Sequence, residues 1–454
     1  MSKLLILALS GHASAVWDKF FQGLNVTDGN YEVFAFQSQW DDGGHTGYLL
    51  EYYEWLFHSQ SGRDQTIYRL ISNIAGGDLE NVIPPPLGDL KSQVSRWAGK
   101  LWEKSGYRRN EAEKIRNLFA SKVSTDEVKI KMNESFSVLN NLAKLSRKPN
   151  AFFENDERYF NILSEFIESY VRYSRLNPRD QGHSIGNLLL SFLYLHSQLY
   201  HKVKNLADKT TPHNLFFGLL KNLALIPRGV YQELLCNGGI RLYGSDQLKN
   251  KFSGESNFDE VSIKNPAINF HEGNRVELSS YSFETRMDQT LTCETTFSTI
   301  LDKVDIVIIP PGSLSNWMPL VNKFHKLILR KNLKVVWFPN AFCHISEADI
   351  LDQYEYLQSL FKGQLIVIRP KQNVYTFLRS QNLTDQEKES YELSYFNEHK
   401  REANFDLLKG DNIFNLIDYT LQGSNHGGIK YDQNCIAKIV KYLIQGGELT
   451  DLSD

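Results

Sequence analysis

Two adjacent carboxylates, Asp41 and Asp42, stand directly before Gly43 and Gly44. A pair of oxygen donors in a loop suits Mg2+, which takes one or two carboxylates and keeps several waters. The same pair also fits a turn or helix cap, where short acidic side chains bond nearby backbone. Two other turns offer backbone N–H groups to phosphates. Ser10-Gly11 follows the apolar run Leu4–Leu9, and Gly312-Ser313 follows Val304–Ile309. A glycine turn that opens a helix presents N–H groups to an anion and adds the positive helix end. Neither turn is a Walker loop and no G-x-G-x-x-G occurs. Each by itself therefore also reads as an ordinary strand-to-helix turn. Gly88-Asp89, entered through Pro84-Pro85-Pro86, offers a further carboxylate.

Gly182-His183-Ser184-Ile185-Gly186 spells G-x-S-x-G. That would make Ser184 a hydrolase nucleophile, with the distant His426 as its base. A nucleophile elbow needs a buried strand just before the serine. Here the preceding residues, Leu176–Gln181, are polar and turn-like. Ser184 is instead expected to cap the helix that follows or to touch ligand. Histidines 12, 45, 183, 344 and 426 show no H-E-x-x-H spacing. His344 and Glu347, three apart, would share one helical face. Cysteines 236, 293, 343 and 435 form no C-x-x-C pair, which excludes a zinc ribbon or thioredoxin-type motif. So sparse a set suits a reducing cytoplasm.

These residues need elements to position them. The chain opens as strand, helix, strand. Lys3–Leu9 and Glu32–Gln39 are continuously apolar at their centres, as in a parallel sheet covered on both faces. Between them Ala13, Val16, Trp17, Phe20, Phe21 and Leu24 recur at helical spacing. Lys3 and Ala13-Ser14-Ala15 imitate a signal peptide, but the apolar run falls short of the usual length of about 7–15 residues. Helical text follows at Tyr48–His58. Residues 91–180 lack strand-like runs and show helical periods, clearest at Phe160, Leu163, Phe166, Ile167, Tyr170 and Val171. Within 91–150, 14 Lys/Arg stand against 6 Asp/Glu. This local excess fits a solvated helical face or a basic surface toward an anionic ligand.

A helix is expected at 187–206, and Thr211-Pro212 opens another. Val230–Cys236 and Ile240–Tyr243 flank Asn237-Gly238-Gly239, a hairpin signal. Strands return at Val304–Ile309, Lys334–Phe338 and Gln364–Ile368, with a helix from about Trp317 to Arg330. Asp432 caps a final helix that ends at Gly446-Gly447. Sheet-forming text at both ends implies one α/β core: 1–90 its first part, 91–180 a helical insertion, 181–454 the remainder with hairpin and C-terminal helix. The formal charge of −3 over 454 residues predicts no general attraction to nucleic acid. No run approaches the ~18 apolar residues of a membrane span.

Several segments match one family in order. Asp41-Asp42-Gly43-Gly44-His45-Thr46-Gly47 resembles its D-D-G-G-S-S/T-G segment. Pro85-Pro86-Leu87-Gly88-Asp89-Leu90-Lys91 is similar to P-P-G-D-I/L-R, with Leu87 inserted. Gly182–Asn187 resembles G-H-S-F-G-N. Val304–Ser315 resembles A-D-x-I-V-x-G-P-G-S-L, Lys334–Asn340 resembles K-V-x-Y-V-x-N, and His426 resembles a late H-D element. The family is the 2-phospho-L-lactate transferase (CofD) and gluconeogenesis-factor (YvcK) group. The opening Ser10-Gly11-His12-Ala13 departs from its glycine-rich loop.

The resemblance implies a Rossmann-like α/β fold that binds a nucleotide diphosphate. In the transferase branch a phospholactyl group passes from a guanosine diphosphate carrier to a deazaflavin acceptor, with Mg2+. In the other branch a UDP-sugar is bound and carbon flow and cell-wall supply are regulated. The Asp-Asp-Gly-Gly segment resembles the second branch more closely. Under either, backbone N–H groups at Gly11 and Gly312-Ser313 would hold phosphates, and Ser10, Gly43 and Gly44 would take part in binding the nucleotide. Asp41 and Asp42 would hold Mg2+ and carry the catalysis, and Asn187 and Asn340 would orient base, ribose or acceptor. A homo-oligomer is compatible with this reading.

Overall fold

The apolar run near the start is the centre of a seven-stranded sheet, as its composition demands. The computed structural model describes residues 2–9, 31–37, 44–75, 90–97, 109–145, 157–204, 211–223, 230–233, 240–245, 251–253, 282–285, 293–344, 347–395, 400–421 and 429–452, with isolated positions between them. The strands of the main sheet are β1 (Ser2–Leu9), β2 (Tyr31–Gln37), β3 (Val230–Glu233), β4 (Ile306–Ile309), β5 (Lys334–Trp337), β6 (Leu365–Pro370) and β7 (Ile413–Ile417). Every neighbouring pair is parallel, and the order across the sheet is β3-β2-β1-β4-β5-β6-β7.

Side chains alternate across a strand. Leu4 and Ile6 of β1 enter one apolar cluster with Val33 and Ala35 of β2. Leu5 and Leu7 enter the other with Phe34 and Phe36. Both clusters are buried, so helices cover both faces, and the expected Rossmann-like α/β fold is observed. Helices among the described residues include α1 (Gly44–His58), α2 (Thr66–Ala75), α3 (Arg109–Ala120), α4 (Thr125–Leu145), α5 (Glu157–Leu176), α6 (Ile185–Val203), α7 (Pro212–Asn222), α8 (Cys293–Leu301), α9 (Leu314–Arg330), α10 (Ile350–Phe361), α11 (Val374–Ser380), α12 (Asp385–Tyr395) and α13 (Gln433–Ile444). No helix among the described residues is long and apolar enough to cross a membrane.

The described residues between β2 and β3 are almost entirely helical. Within it α6 is buried from Ile185 through Tyr200. A helix apolar around its whole circumference belongs in an interior. Helices α3, α4 and α5 pack on it, and Ile115, Phe119, Val128, Met132 and Phe166 join the same apolar cluster as Leu4 and Ile6. Local chemistry fixes the ends. Thr211 caps α7 with Pro212 in its first turn. Asp432 accepts from Asn434 N and Cys435 N to cap α13, and Gly446 follows that helix with φ +80°.

One expectation needs correction. Val230–Glu233 does not pair with the strand after Asn237-Gly238-Gly239. Val230 is fully buried, and its strand adds to β2 in parallel. Burial against an apolar strand outweighs the local turn signal. The strand Ile240–Ser245 instead forms an antiparallel hairpin with Lys251–Ser253 and also pairs with Ser282–Thr285. The strand β7 carries no signal that the sequence reading used. The turn 237–239, most of the helix expected at 13–24, and Gly88-Asp89 lie outside the described residues.

Burial of histidines makes the helical layer sensitive to acid. Burial pushes the imidazole of His196 in α6 down to about 3 and that of His213 in α7 down to about 4. Both stay neutral in the fold, whereas the unfolded chain binds protons below about pH 6.5. Their contribution is therefore complete above pH 6.5 and is lost as pH falls toward 4. His196→Phe, beside the rings of Phe192 and Tyr200, should remove one such proton. Urea unfolding at pH 7 and pH 5 should show the variant losing about 2 kcal/mol less stability across that interval than the parent.

Candidate functional site

The strand order reverses direction at β1. From β1 the chain proceeds to β2 and β3 on one side, and β4 to β7 extend the other. In open parallel sheets ligands bind at this switch point, beyond the carboxyl ends of the strands. Here the switch lies between β1 and β4, paired from Leu4↔Ile306 to Ile6↔Ile308. Beyond β4 the chain runs through Gly312 and Ser313 into α9. Beyond β1 it runs into Ser10 and Gly11, and beyond β2 into Asp41, Asp42 and Gly43. These five residues lie outside the described set.

Ser313 is the N-cap residue of α9, with φ −60° and ψ 152°, but its side chain makes no capping bond to the backbone. Its Oγ lies 3.0 Å from Ser315 Oγ and accepts from Asn316 Nδ2 at 2.6 Å. The amide of Leu314 donates to Glu347 Oε1 at 2.5 Å, in a buried contact. A carboxylate of the protein thus already sits at the positive end of this helix, where anions are favoured. Glu347 and His344 do not share a helical face. His344 ends the short strand Phe342–His344, and Glu347 lies in the irregular segment before α10. Asn340 is half-buried, three residues beyond β5 and next to this turn in sheet order. The Phe338 amide, donating to Ile309 O at 2.9 Å, ties the two strand ends together.

On the other side of the switch point, two separate sequence segments meet. Gly44 opens α1 with φ +54°, and its carbonyl accepts from Arg179 Nη1 at 2.6 Å. Asn187 Nδ2 donates to Thr46 Oγ1 at 3.4 Å. The Asn187 amide donates to Ser184 Oγ, also at 3.4 Å, so Ser184 caps α6 as expected. The residues His183–Ser184 pair antiparallel with Lys122–Val123, away from the parallel sheet. A nucleophile elbow has no place there. Behind the first turn of α1, Tyr170 Oη lies 2.9 Å from His45 Nε2 and 2.8 Å from His183 Nδ1. Thr125 Oγ1 lies 2.9 Å from His183 Nε2.

Electrostatics keep this cluster neutral inside a positive surround. Burial holds the His45 pKa well below the ordinary histidine value, with Arg179, His183, Lys91 and Lys122 adding to the effect. His183 is lowered by burial and by Arg179. Burial raises Tyr170 well above its usual value. His45 Nδ1, Asn187 Oδ1, Arg179 Nε and Gln37 Nε2 are buried without a hydrogen-bond partner among the described residues. Buried polar atoms are nearly always paired, so each such atom is a candidate contact for ligand or water. No group of three or more His, Cys, Asp or Glu side chains gathers among the described residues.

The sequence reading singled out Gly44, Asn187, Gly312, Ser313 and Asn340, and all five lie among the described residues. It missed Arg179, Tyr170, Thr125 and the role of Glu347. Apart from the bond between Tyr170 and His183, their contacts span more than thirty residues of chain, and no local spacing announces them.

No protein-family model matches this chain, and no curated protein sequence matches it. Solved structures do. BH3568 from Bacillus halodurans aligns with a TM-score of 0.54 at 14% identity, over 97% of this chain and 99% of that one. A second structure of BH3568, described as a member of the UPF0052 family, aligns with a TM-score of 0.53 at 13% identity over the same shares. The likeness shows a common fold along nearly the whole chain.

The meeting of α6 with its neighbours depends on Gly186. A Cβ there would lie 2.5 Å from Phe119 O and 2.9 Å from Lys91 Cγ. Gly186→Ala should therefore destabilise by about 1–3 kcal/mol through overpacking. Gly218→Ala, in α7 with nothing within 4 Å of the new atom, should stabilise by about 0.5–1 kcal/mol through helix propensity. Denaturant midpoints that move in opposite directions would bear this out.

Proposed function

We propose that this chain binds a nucleoside diphosphate ester across the carboxyl edge of the sheet and transfers a phospholactyl-type group from it to an acceptor, with the nucleoside monophosphate as leaving group. The observation that carries the reading is the sheet order. It brings the turns after β1 and β4 to one switch point, and each of those turns carries a glycine. Across that point the first turn of α1 meets that of α6, with Arg179 between loop and helix. The sequence resemblance supplies the substrate class, and the shared fold of BH3568 is compatible with it.

In this reading Ser10, Gly11, Gly43, Gly44, Gly312 and Ser313 line the phosphates with backbone N–H groups. Asp41 and Asp42 would hold Mg2+, which would supply neutralisation of phosphate charge. Asn187 and Asn340 orient base, ribose or a deazaflavin-type acceptor. Phosphoryl-group chemistry is largely positioning and charge neutralisation, which suits a site built from turns, amides and cations. Glu347 must yield part of the α9 helix end to the ligand, or share it.

A second reading rests on the Asp41-Asp42-Gly43-Gly44 segment, which resembles the regulatory branch. Under it the same edge binds a UDP-sugar and performs no transfer. A thermal-shift screen separates the two, with GDP, GMP, UDP, UDP-sugars and NAD, each with and without Mg2+. At about 100-fold over Kd a ligand adds about 2.7 kcal/mol of stability. GDP with Mg2+ should give the largest shift under the transferase reading, and a UDP-sugar under the regulatory one. Asp42→Asn should lose the Mg2+-dependent part of the shift without unfolding. Gly312→Val should lose binding with a near-native circular dichroism spectrum. Normal binding by Gly312→Val would place the ligand elsewhere.

A further inference from the structure

Thr125, His183, Tyr170 and His45 form a row of hydrogen bonds with one open end. The three contacts measure 2.9, 2.8 and 2.9 Å. The open end is His45 Nδ1, buried and without a partner among the described residues. A neutral imidazole has one N–H and one lone pair, and each hydroxyl donates one proton. The proton on His45 Nδ1 therefore decides which settings the row can take. If His45 Nδ1 carries a proton, Nε2 must accept from Tyr170. Tyr170 Oη must then accept from His183 Nδ1–H, and His183 Nε2 must accept from Thr125. If His45 Nδ1 is a lone pair, Nε2–H donates to Tyr170 instead, and Tyr170 no longer forces His183 into the Nδ1–H form.

We infer that an anionic oxygen of the bound ligand sets this row by accepting from His45 Nδ1–H, which forces both histidines into the Nδ1–H form. A phosphate or carboxylate oxygen only accepts, so it selects the first setting and excludes the second. This rests on the proposed reading in one respect: that the ligand is anionic. Burial and the neighbouring cations keep both imidazoles neutral, so the row is set by tautomer and not by charge. Arg179, Lys91 and Lys122 face His45 closely enough to depress it, and the same positive field draws an anion to that spot. Tyr48, packed between His45 and His183, bonds Asn177 O and takes no part in the row. The consequence is a positioning role for Thr125 and Tyr170. They contact no ligand, yet they determine that His45 donates.

The test uses the full chain with 15N-labelled histidine and inorganic pyrophosphate as the probe. Signals are assigned with His45→Gln and His183→Gln. With pyrophosphate, both histidines should show a protonated Nδ1 and a bare Nε2, and the His45 Nδ1 signal should move saturably. A protonated Nε2 on either ring, or a His45 Nδ1 signal that does not move, overturns the inference. Thr125→Val removes the hydroxyl at the far end. It should mix the His45 tautomers and weaken pyrophosphate about threefold or more, the worth of one hydrogen bond. Thr125→Ser should restore both. A Thr125→Val protein with the parent's tautomer and affinity overturns the relay. If pyrophosphate sets the row while no nucleotide binds, the inference stands and the nucleotide reading falls.

Discussion

Everything in this molecule depends on β1 being buried on both faces. Leu4, Leu5, Ile6 and Leu7 are all fully buried, two toward each apolar cluster. A strand so placed cannot lie at an edge or face water. It must pair on both sides and be covered by helices above and below, which in a parallel sheet requires crossovers. From that constraint follow the neighbours β2 and β4, the reversal of direction between them, and a crevice at the carboxyl edge. Under the proposed function, residues 41–44 and 312–313 matter because they follow β2 and β4 in the chain.

The helical layer answers a second demand. The long stretch between β2 and β3 carries a helix, α6, that is buried from Ile185 through Tyr200 and must be enclosed. α3, α4 and α5 enclose it. In doing so they bring Thr125 and Tyr170, from the basic, helix-rich part of the chain, against His45 and His183 at the first turns of α1 and α6. Polar groups packed this deeply stay only when hydrogen-bonded, and a buried network that is left incomplete at one end is costly. The incomplete end here is His45 Nδ1, buried and without a hydrogen-bond partner among the described residues. The helical layer thus supplies packing and part of the site together.

Much of the fold was legible because it is written locally. Runs such as Leu4–Leu9 and Val304–Ile309 can be strands of a covered sheet and little else. Thr211-Pro212 and Asp432 mark helix starts by the chemistry of a single turn. The hairpin at Asn237-Gly239 was misread for the same reason: the turn signal is local, while the parallel pairing of Val230–Glu233 with β2 pays off only through burial that sequence spacing does not display. The site was half legible. Glycine turns and amides could be picked out by type. Arg179 on Gly44, Glu347 on Leu314 and Tyr170 between two histidines arise from tertiary approach alone. Glu347 shows what type-reading overlooks, since a carboxylate at a helix end changes what that end can hold.

The central claim is that one ligand spans the carboxyl edge at the switch point. Hydrogen–deuterium exchange with the nucleotide that most stabilises the protein, in the presence of Mg2+, tests it most directly. The account predicts slowed exchange in peptides covering residues 309–316 and 44–48, at the starts of α9 and α1, with little change in the hairpin at 240–253. Slowed exchange confined to the hairpin, or to the far side of the helical layer, would contradict it.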